Sequence, residues 1–269
     1  MFFWRFFPND AKNGLFAAKA YKNRIFSGNE RKIKMRIAIC DDDKNGQTGL
    51  YTLIKNSGVF DDVRYLFFDS GTALLNSVTQ GEHYSIVFLD VDMPEMGGIE
   101  TALRINEADA KTIIIFYSAY PQFAVDAFDC NAFHYIVKGI DEGKFREILV
   151  RALRKYKRLN ASFTVKTKTG FVSVPIGEIY YIEYLNKHLV VHTEKDSYET
   201  RDSLVNAGEK LCALGFYQCH QSYIVNFEKV HAIMKNEIVL TNGEKVMLST
   251  RKRTETVSAY NRYLENFVL

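Results

Sequence analysis

The chain has 269 residues, of which 47% are hydrophobic, and this length and composition suit two domains with separate cores. No apolar run approaches the roughly 18 residues of a membrane span, so we expect none. Residues 1–34 hold 8 Lys/Arg against 2 Asp/Glu, residues 35–160 hold 14 against 18, and residues 161–269 hold 13 against 12. The nearly neutral C-terminal part excludes overall charge as an argument for nucleic-acid binding.

The cysteines give an indication of the redox compartment. Cys40, Cys130, Cys212 and Cys219 have neither CxxC nor metal-ligand spacing, and they lie within apolar segments. Thiols in such segments are typical of reduced core residues. The pattern therefore predicts a cytoplasmic protein.

The first 34 residues have no repeating core face. They begin with the aromatic stretch Met1–Phe7, and scattered basic residues follow. An interfacial membrane anchor would combine these two features, whereas a secretory signal would need an apolar segment that is missing here. We favour a third hypothesis, that the native protein starts at Met35, because Glu30-Arg31-Lys32 is encodable by a purine-rich ribosome-binding stretch. The intact mass of the protein from its own host tests this.

Strands that end in polar side chains characterise the next part of the chain. Four apolar runs have this form: Arg36–Cys40 before Asp41, Asp42 and Asp43; Ile86–Leu89 before Asp90; Thr112–Tyr117 before Ser118; and Ala132–Val137 before Lys138. Continuous apolar runs are typical of parallel strands that are buried on both faces. The carboxyl ends of such strands meet at one edge, where open α/β sheets bind their ligands. We therefore expect these polar groups to form one site.

Helical patterns alternate with these strands and with one more strand at Val63–Phe68. They are predicted at Ser70–Val78, Gly98–Ala108, Pro121–Asn131 and, with Asp141 as the cap, up to Arg158. Alternation of this kind specifies a parallel sheet. A helix after Asp43 is the weakest prediction, because Gly46 and Gly49 each disfavour it by about 1 kcal/mol. The basic run Arg151–Arg158 is typical of a solvated helix face.

The clustered acids have a chemical consequence. Asp41, Asp42 and Asp90 cannot all stay ionised close together without a proton or a cation. Mg²⁺ prefers oxygen ligands and typically combines one or two carboxylates with phosphate oxygens and waters. The Ser118 hydroxyl and the Lys138 ammonium are suitable partners for the oxygens of a phosphoryl group. Singly, each aspartate is as well explained by a turn or a helix cap.

Residues 35 to about 158 resemble the receiver domain of response regulators. The steps from Asp42 to Asp90, from Asp90 to Ser118 and from Ser118 to Lys138 are 48, 28 and 20 residues, and each holds one βα unit or slightly more. The resemblance implies an α/β doubly wound parallel five-stranded sheet of the flavodoxin-like kind. It also implies that Asp90 accepts phosphate from a sensor histidine kinase, and that Mg²⁺ binds Asp41, Asp42, Asp90 and the Asp92 carbonyl.

The resemblance implies further roles near the ends of the last two strands. Ser118, Tyr135 and Lys138 fall on the switch hydroxyl, the switch aromatic and the lysine that contacts the phosphoryl group. For Tyr135, plain packing is an equally good interpretation. The family usually has proline after the lysine, whereas Gly139 follows here, so we expect a trans peptide bond and a less rigidly aimed Lys138.

After a short linker at residues 159–162 the pattern changes to short strands separated by turn signals. The predicted strands are Phe163–Thr167, Phe171–Ile176, Ile179–Leu185, Leu189–Thr193, Ser197–Arg201, Tyr217–His220, Tyr223–Asn226, Lys229–Ile233, Glu237–Thr241 and Lys245–Leu248. Helices are predicted at Asp202–Leu214 and from Thr250 to about Phe267. This is the pattern of an antiparallel β domain, and it contains no helix-turn-helix, zinc-finger or basic-zipper motif.

Residues 163–269 resemble the LytTR DNA-binding domain. Phe216–Asn226 resembles the signature of that family, and Glu178–Glu183 and Leu248–Arg251 resemble two of its other motifs. The resemblance implies a mostly β fold whose loops enter successive major grooves at direct repeats near promoters. By position, the residues that would face bases are His188, Gln221 and Arg251. Lys187, Lys252 and Arg253 suit phosphates.

Structural interpretations compete with some of these assignments. His220, Ser222 and Asn226 are better explained as internal hydrogen-bonding residues than as DNA contacts. His188 and His192 share one face of a predicted hairpin, but no third ligand lies nearby, so we do not expect a metal there.

The sequence therefore favours a two-component transcription regulator, not an enzyme, that dimerises when phosphorylated. One alternative is a DNA-binding regulator that works without phosphorylation. Another is a phosphatase of the haloacid-dehalogenase type, because Asp90-Val91-Asp92 also fits its D-x-D motif; here, however, the acid pair precedes the nucleophile strand instead of following it.

Overall fold

The computed structural model of this chain describes residues 35–267. These residues form an α/β part followed by a mostly β part. The hypotheses about residues 1–34 lie outside the described residues. No helix between residues 35 and 267 combines the length and the apolar character that crossing a membrane requires.

The first part is built on a parallel sheet. Its strands are β1 (Met35–Cys40), β2 (Val63–Phe68), β3 (Ile86–Leu89), β4 (Ile113–Ser118) and β5 (His134–Val137). They are arranged in the order β2-β1-β3-β4-β5, with every neighbouring pair parallel. Cys40 of β1 pairs with Leu89 of β3, so the acids that follow these strands leave the sheet side by side. The predicted doubly wound sheet is confirmed.

Helices cover both faces of this sheet. They are α1 (Lys44–Asn56), α2 (Gly71–Thr79), α3 (Gly98–Ala108), the short α4 (Asp126–Asp129) and α5 (Glu142–Leu159). Because successive strand residues point to opposite faces, Ala38 and Cys40 pack with the side of α2 and α3, whereas Ile37 and Ile39 pack with the side of α1 and α5. Two apolar layers, one on each face, therefore hold the sheet edge in place.

Of two helix predictions, the weakest is confirmed and the other is wrong. The weakly predicted first helix is regular over 13 residues, because Asp43 caps it by accepting from Asn45 N and Gly46 N, and because its apolar side is buried. The single helix predicted at Pro121–Asn131 is wrong: a 3₁₀ turn at Pro121–Ala124 precedes α4. Valine, phenylalanine and aspartate are poor helix formers, and Asn131 ends the segment with a φ of +50°.

The end of α5 also differs from expectation. The basic run predicts a solvated position for Arg158, but only 7% of this residue is exposed. Its Nη2 atom donates to Asn226 Oδ1 at 2.7 Å and to Glu228 Oε2 at 2.8 Å. The guanidinium also lies 5.7 Å from the ring centre of Tyr263. The helix that completes the first core is thus bonded to the β part of the chain, since a buried arginine requires such partners.

The β part contains three antiparallel sheets. A pair is formed by β6 (Ser162–Lys166) and β7 (Phe171–Pro175). The five-stranded sheet contains β8 (Ile179–Leu185), β9 (His188–Thr193), β10 (Ser197–Thr200), β11 (Phe216–His220) and β12 (Tyr223–Asn226), in the order β10-β9-β8-β12-β11. The three-stranded sheet contains β13 (Val230–Ile233), β14 (Glu237–Leu240) and β15 (Lys245–Met247).

Two helices complete this part. Helix α6 (Leu204–Leu211) packs Leu204, Ala207 and Leu211 into the core of the β8–β9 side, and a 3₁₀ turn extends it to Leu214. Helix α7 (Arg253–Phe267) follows a 3₁₀ turn at Thr250–Lys252 and contributes Ala259 and Tyr263 to a second core with the three-stranded sheet. The predicted mostly β fold is confirmed.

Candidate functional sites

Asp41 and Asp90 converge at the carboxyl edge of the parallel sheet. They are 3% and 7% exposed. Lys138 Nζ donates to Asp41 Oδ2 at 2.8 Å and to Asp90 Oδ2 at 2.7 Å. Burial lowers the pKa of Lys138, but hydrogen bonds to the two aspartates and their negative charges outweigh burial and raise the pKa to about 12. The two acids and the lysine therefore form one charged cluster.

The loops after β1 and β3 orient the two carboxylates. Asp41 Oδ1 accepts from the backbone N–H of Asp43 at 2.9 Å, and Asp90 Oδ1 accepts from the backbone N–H of Val91 at 2.7 Å. Each carboxylate thus uses one oxygen to fix its own loop and directs the other to Lys138. This arrangement leaves both Oδ2 atoms facing a single cation position.

Asp42 and Asp92 do not take part in this cluster. Both are exposed, and the hydroxyl of Tyr120 hydrogen-bonds to the Asp92 carboxylate, which raises the pKa of Tyr120. Within residues 35–267 no three His, Cys, Asp or Glu side chains are arranged as a complete metal-ligand set. Mg²⁺ needs only one or two carboxylates when water and phosphate supply the rest, so Asp41 and Asp90 are a suitable donor pair.

Ser118 lies at the end of β4, the strand beside β3. It is fully buried, and its Oγ atom makes no hydrogen bond of ordinary geometry within the described residues. A buried hydroxyl costs free energy until it finds a partner. Tyr135 on the neighbouring strand donates its hydroxyl to the Tyr120 carbonyl; burial raises its pKa, and the nearby Ser118 hydroxyl offsets part of that effect.

The residue after Lys138 explains the departure from the expected lysine-proline pair. Gly139 has a φ of +93°, a conformation that is closed to proline because the proline ring fixes φ near −65°. No cis peptide bond occurs in residues 35–267, so the trans bond expected there is confirmed. Lys138 nevertheless reaches both aspartates.

The sequence did not indicate three residues that build this site. Gln47 Nε2 donates to the carbonyls of Asp41 and Phe68 at 2.7 and 2.9 Å, joining the loops after β1 and β2. Side-chain atoms of Asp41 occupy the space beside Gly46, and a Cβ on Gly98 would overlap the Asp90 carbonyl. The sequence signal for the two glycines is their position near the acids, where a residue without a Cβ leaves room for a carboxylate or a backbone carbonyl.

A second group of predicted residues meets at one end of the five-stranded sheet. Asn186 and Lys187 form the tight turn from β8 to β9 with φ values of +50° and +65°, and His188 follows. The turn that carries Gln221 lies at the same end, because Tyr184 N donates to Ser222 O at 2.8 Å. Three of the predicted DNA contacts, Lys187, His188 and Gln221, are therefore neighbours.

The remaining predicted DNA contacts lie in the 3₁₀ turn before α7 and at the first residue of that helix. Arg251 is exposed, whereas Lys252 Nζ donates to Gln218 O at 3.0 Å and Arg253 Nε donates to Met234 O at 3.4 Å. The bond to Gln218 places this turn beside β11. Lys252 and Arg253 thus have structural partners, while the side chain of Arg251 faces solvent.

The polar residues of the signature segment serve the fold. Asn226 is fully buried, and its Nδ2 atom donates to the Ile179 carbonyl at 2.7 Å. His220 Nδ1 accepts from Ser222 N at 3.2 Å, which holds the turn. The predicted internal hydrogen-bonding role of Asn226 and His220 is confirmed.

The histidines of the β8–β9 hairpin contact different acids. His188 Nδ1 lies 3.6 Å from Glu199 Oε1, and His192 Nε2 lies 3.4 Å from Glu183 Oε2. The ring of His192 also stacks on Tyr181 with ring centres 4.2 Å apart. Each histidine of the hairpin therefore lies next to a different glutamate of the sheet.

Comparison with known proteins agrees with this architecture. Residues 37–150 match the model of the response regulator receiver domain, and residues 169–260 match the model of the LytTr DNA-binding domain. Together the two matches cover well over half of the chain, which is therefore a response regulator. Its second domain places it among the response regulators of the LytTR family.

Named relatives align with this chain along most of their own length. The transcriptional regulatory protein YpdB of Escherichia coli (strain K12) is 29% identical over 213 residues, which cover 74% of this chain and 86% of that protein. The transcriptional regulatory protein LytR of Staphylococcus aureus (strain N315) is 26% identical over 234 residues, 80% of this chain and 94% of that protein. The solved response regulatory domain of protein mrkE from Klebsiella pneumoniae is 27% identical, with a TM-score of 0.42, and covers 46% of this chain and 99% of that one.

Proposed function

We propose that this response regulator is switched by phosphorylation of Asp90 and does not act as a turnover enzyme. A carboxylate oxygen of Asp90 forms a bond to the phosphorus of a phosphohistidine in a sensor histidine kinase, and the phosphorus–nitrogen bond breaks. The observation that carries this proposal is the pair of hydrogen bonds from Lys138 Nζ to Asp41 and Asp90. They support a site in which a cation balances both acids.

The carboxylates and a carbonyl at this edge would hold Mg²⁺. The proposed ligands are Asp41, Asp42, Asp90 and the backbone carbonyl of Asp92. When bound, the ion would neutralise the charge that develops on the transferred phosphoryl group. The convergence of the buried Asp41 and Asp90 carboxylates supports this assignment, and Asp42 adjoins Asp41 in the same loop.

Lys138 and Ser118 would contact the phosphoryl group on Asp90. Phosphorylation adds about −1.5 to −2 charges, which the Lys138 ammonium is placed to balance. The buried Ser118 hydroxyl, which makes no hydrogen bond of ordinary geometry among residues 35–267, would donate a hydrogen bond to a phosphoryl oxygen. We propose that Tyr135, on the neighbouring strand β5, is the switch aromatic and changes position when Ser118 contacts the phosphoryl group.

The LytTR domain would bind promoter DNA at the sheet end that carries the β8–β9 turn. The proposed base contacts are His188, Gln221 and Arg251, and the proposed phosphate contacts are Lys187, Lys252 and Arg253. Phosphorylation would favour a homodimer whose two LytTR domains bind direct repeats in the cytoplasm. The proposed domains are residues 35–158 and 163–269, joined by residues 159–162.

The acceptor assignment is tested by incubating the full chain with acetyl phosphate and Mg²⁺ and measuring its intact mass. The wild type is expected to gain one phosphoryl group and to lose this reactivity when the metal is chelated. Asp90→Asn should remain unmodified. Asp129→Asn, which neutralises an exposed aspartate on α4, is the matched control and should react like the wild type. Equal modification of Asp90→Asn would refute the assignment.

DNA binding is tested by footprinting on promoter fragments from the protein's own host, with and without acetyl phosphate and Mg²⁺. We expect protection of paired repeats that strengthens on phosphorylation in the wild type and not in Asp90→Asn. Equal affinity in all arms would favour a regulator that works without phosphorylation. Steady phosphate release from simple phosphomonoesters would favour the phosphatase alternative.

A further inference from the structure

Arg201 lies at the end of the five-stranded sheet that carries the β8–β9 turn. It directly follows β10, whose last residue, Thr200, pairs with Leu189 of β9. Continuing this register by one residue sets Arg201 beside His188. In antiparallel strands, residues directly opposite each other project from the same face. Arg201 is therefore placed next to a proposed base contact.

An open surface cavity of about 500 Å³ joins Arg201 to the turn between β11 and β12. Its lining residues are Tyr184, Arg201, Asp202, Ser203, Leu204, Asn206 and Gln221. The lining thus combines a guanidinium with the side chain of another proposed base contact. A concave site with a few polar groups and one cation suits an anionic group of a larger ligand.

The acid in this cavity does not neutralise the arginine. Asp202 Oδ1 accepts from Ser203 N at 2.8 Å and from Asn206 Nδ2 at 3.0 Å, and Asp202 Oδ2 pairs with Lys210 at 3.4 Å. Burial raises the pKa of Asp202, but these hydrogen bonds and the lysine charge outweigh it and lower the pKa. The exposed Arg201 side chain has no ion pair or hydrogen bond within the part of the chain described, so its charge remains available.

We infer that Arg201 binds a backbone phosphate of the DNA at this cavity. The inference rests on the proposed DNA binding and extends it by one contact. Strand β10 is the edge strand of the sheet, so Arg201 flanks the central hairpin that carries His188. A group that flanks base-reading residues meets the sugar-phosphate backbone, and guanidinium pairs with phosphate through two parallel hydrogen bonds.

The test compares Arg201→Gln with the wild type and with Lys195→Gln in the full chain. Lys195 is an exposed cation in the turn between β9 and β10, at the opposite end of the same sheet, so both variants lose one positive charge. Affinity is measured at several salt concentrations on two duplexes, the promoter fragment found by footprinting and a mixed-sequence duplex. Thermal unfolding and phosphorylation of the three proteins check that the variants fold.

A phosphate contact lowers the slope of log affinity against log salt by about 0.9. Removing one phosphate contact in Arg201→Gln should therefore make the fall of log affinity with log salt less steep by about 0.9 on both duplexes. Lys195→Gln should keep the wild-type slope. An unchanged slope, an equal change in both variants, or a loss confined to the promoter fragment would overturn the inference. Failure of the wild type to bind either duplex would instead refute the proposed DNA-binding function.

Discussion

Replacing Gly46 and Gly49 by alanine separates two properties of the first helix of the receiver domain. Both residues lie in α1, three positions apart. A Cβ on Gly49 would meet no atom within 4 Å, whereas a Cβ on Gly46 would lie 2.6 Å from Asp41 Oδ2 and 3.0 Å from Asp41 Cγ. Gly49→Ala therefore changes helix propensity alone, whereas Gly46→Ala also displaces the Asp41 carboxylate.

The expected magnitudes follow from these contacts. Alanine in place of glycine in an exposed helix gains up to about 1 kcal/mol, so Gly49→Ala should raise the free energy of unfolding by about that amount. Gly46→Ala must displace a carboxylate that is buried and hydrogen-bonded to Lys138 Nζ and Asp43 N. Overpacking costs about 1–3 kcal/mol, so the free energy of unfolding of Gly46→Ala should be lower than that of Gly49→Ala by about this amount.

Urea unfolding of both variants measures the stability difference, and the rate of phosphorylation by acetyl phosphate measures the effect on the site. Gly46→Ala should also react more slowly, because displacing Asp41 disturbs the cluster around Asp90. Gly49→Ala should react at the wild-type rate. If Gly46→Ala proves as stable and as reactive as Gly49→Ala, the Asp41 carboxylate is not held in place as described.

Three further predictions concern other parts of the molecule. In both Gly215→Ala and Gly243→Ala the alanine must adopt a φ near +85°, but only at position 215 would the new Cβ also lie too close to Tyr263 Cε2, at 2.8 Å. Urea unfolding should therefore find Gly215→Ala less stable than Gly243→Ala by about 1–3 kcal/mol. The folded-state pKa of Lys138 is raised from 10.5 to about 12, so the protonated lysine stabilises the folded protein fully below pH 10.5, and this contribution is lost towards pH 12. The difference in free energy of unfolding between the wild type and Lys138→Met should therefore narrow from pH 10.5 to pH 12. A difference that stays constant over this range would contradict the raised pKa. Cys212 is exposed while the other three cysteines are buried, so mass spectrometry after iodoacetamide treatment of the native protein should find one modified thiol, at Cys212, and four after unfolding.

Most of the receiver site was predictable because its signal is local. A buried parallel strand needs a continuous apolar run, and the residue that follows it must lie at the sheet edge. The ends of β1, β3 and β5 therefore predict that Asp41, Asp90 and Lys138 lie together, as the structure shows. The strand pattern of the β domain was predictable for the same reason, since alternation and turn residues are read over a few positions.

The sequence by itself determined the two fold classes and the residues at the strand ends, because side-chain polarity along each strand decides which positions can be buried. Only the tertiary structure decided that Arg158 is buried against Asn226, that Gly46 gives room to Asp41, and that Arg201 shares a cavity with Gln221. Each of these facts joins residues far apart in the chain or on different strands. Such contacts depend on how elements pack, and a pattern read along one element does not contain that information.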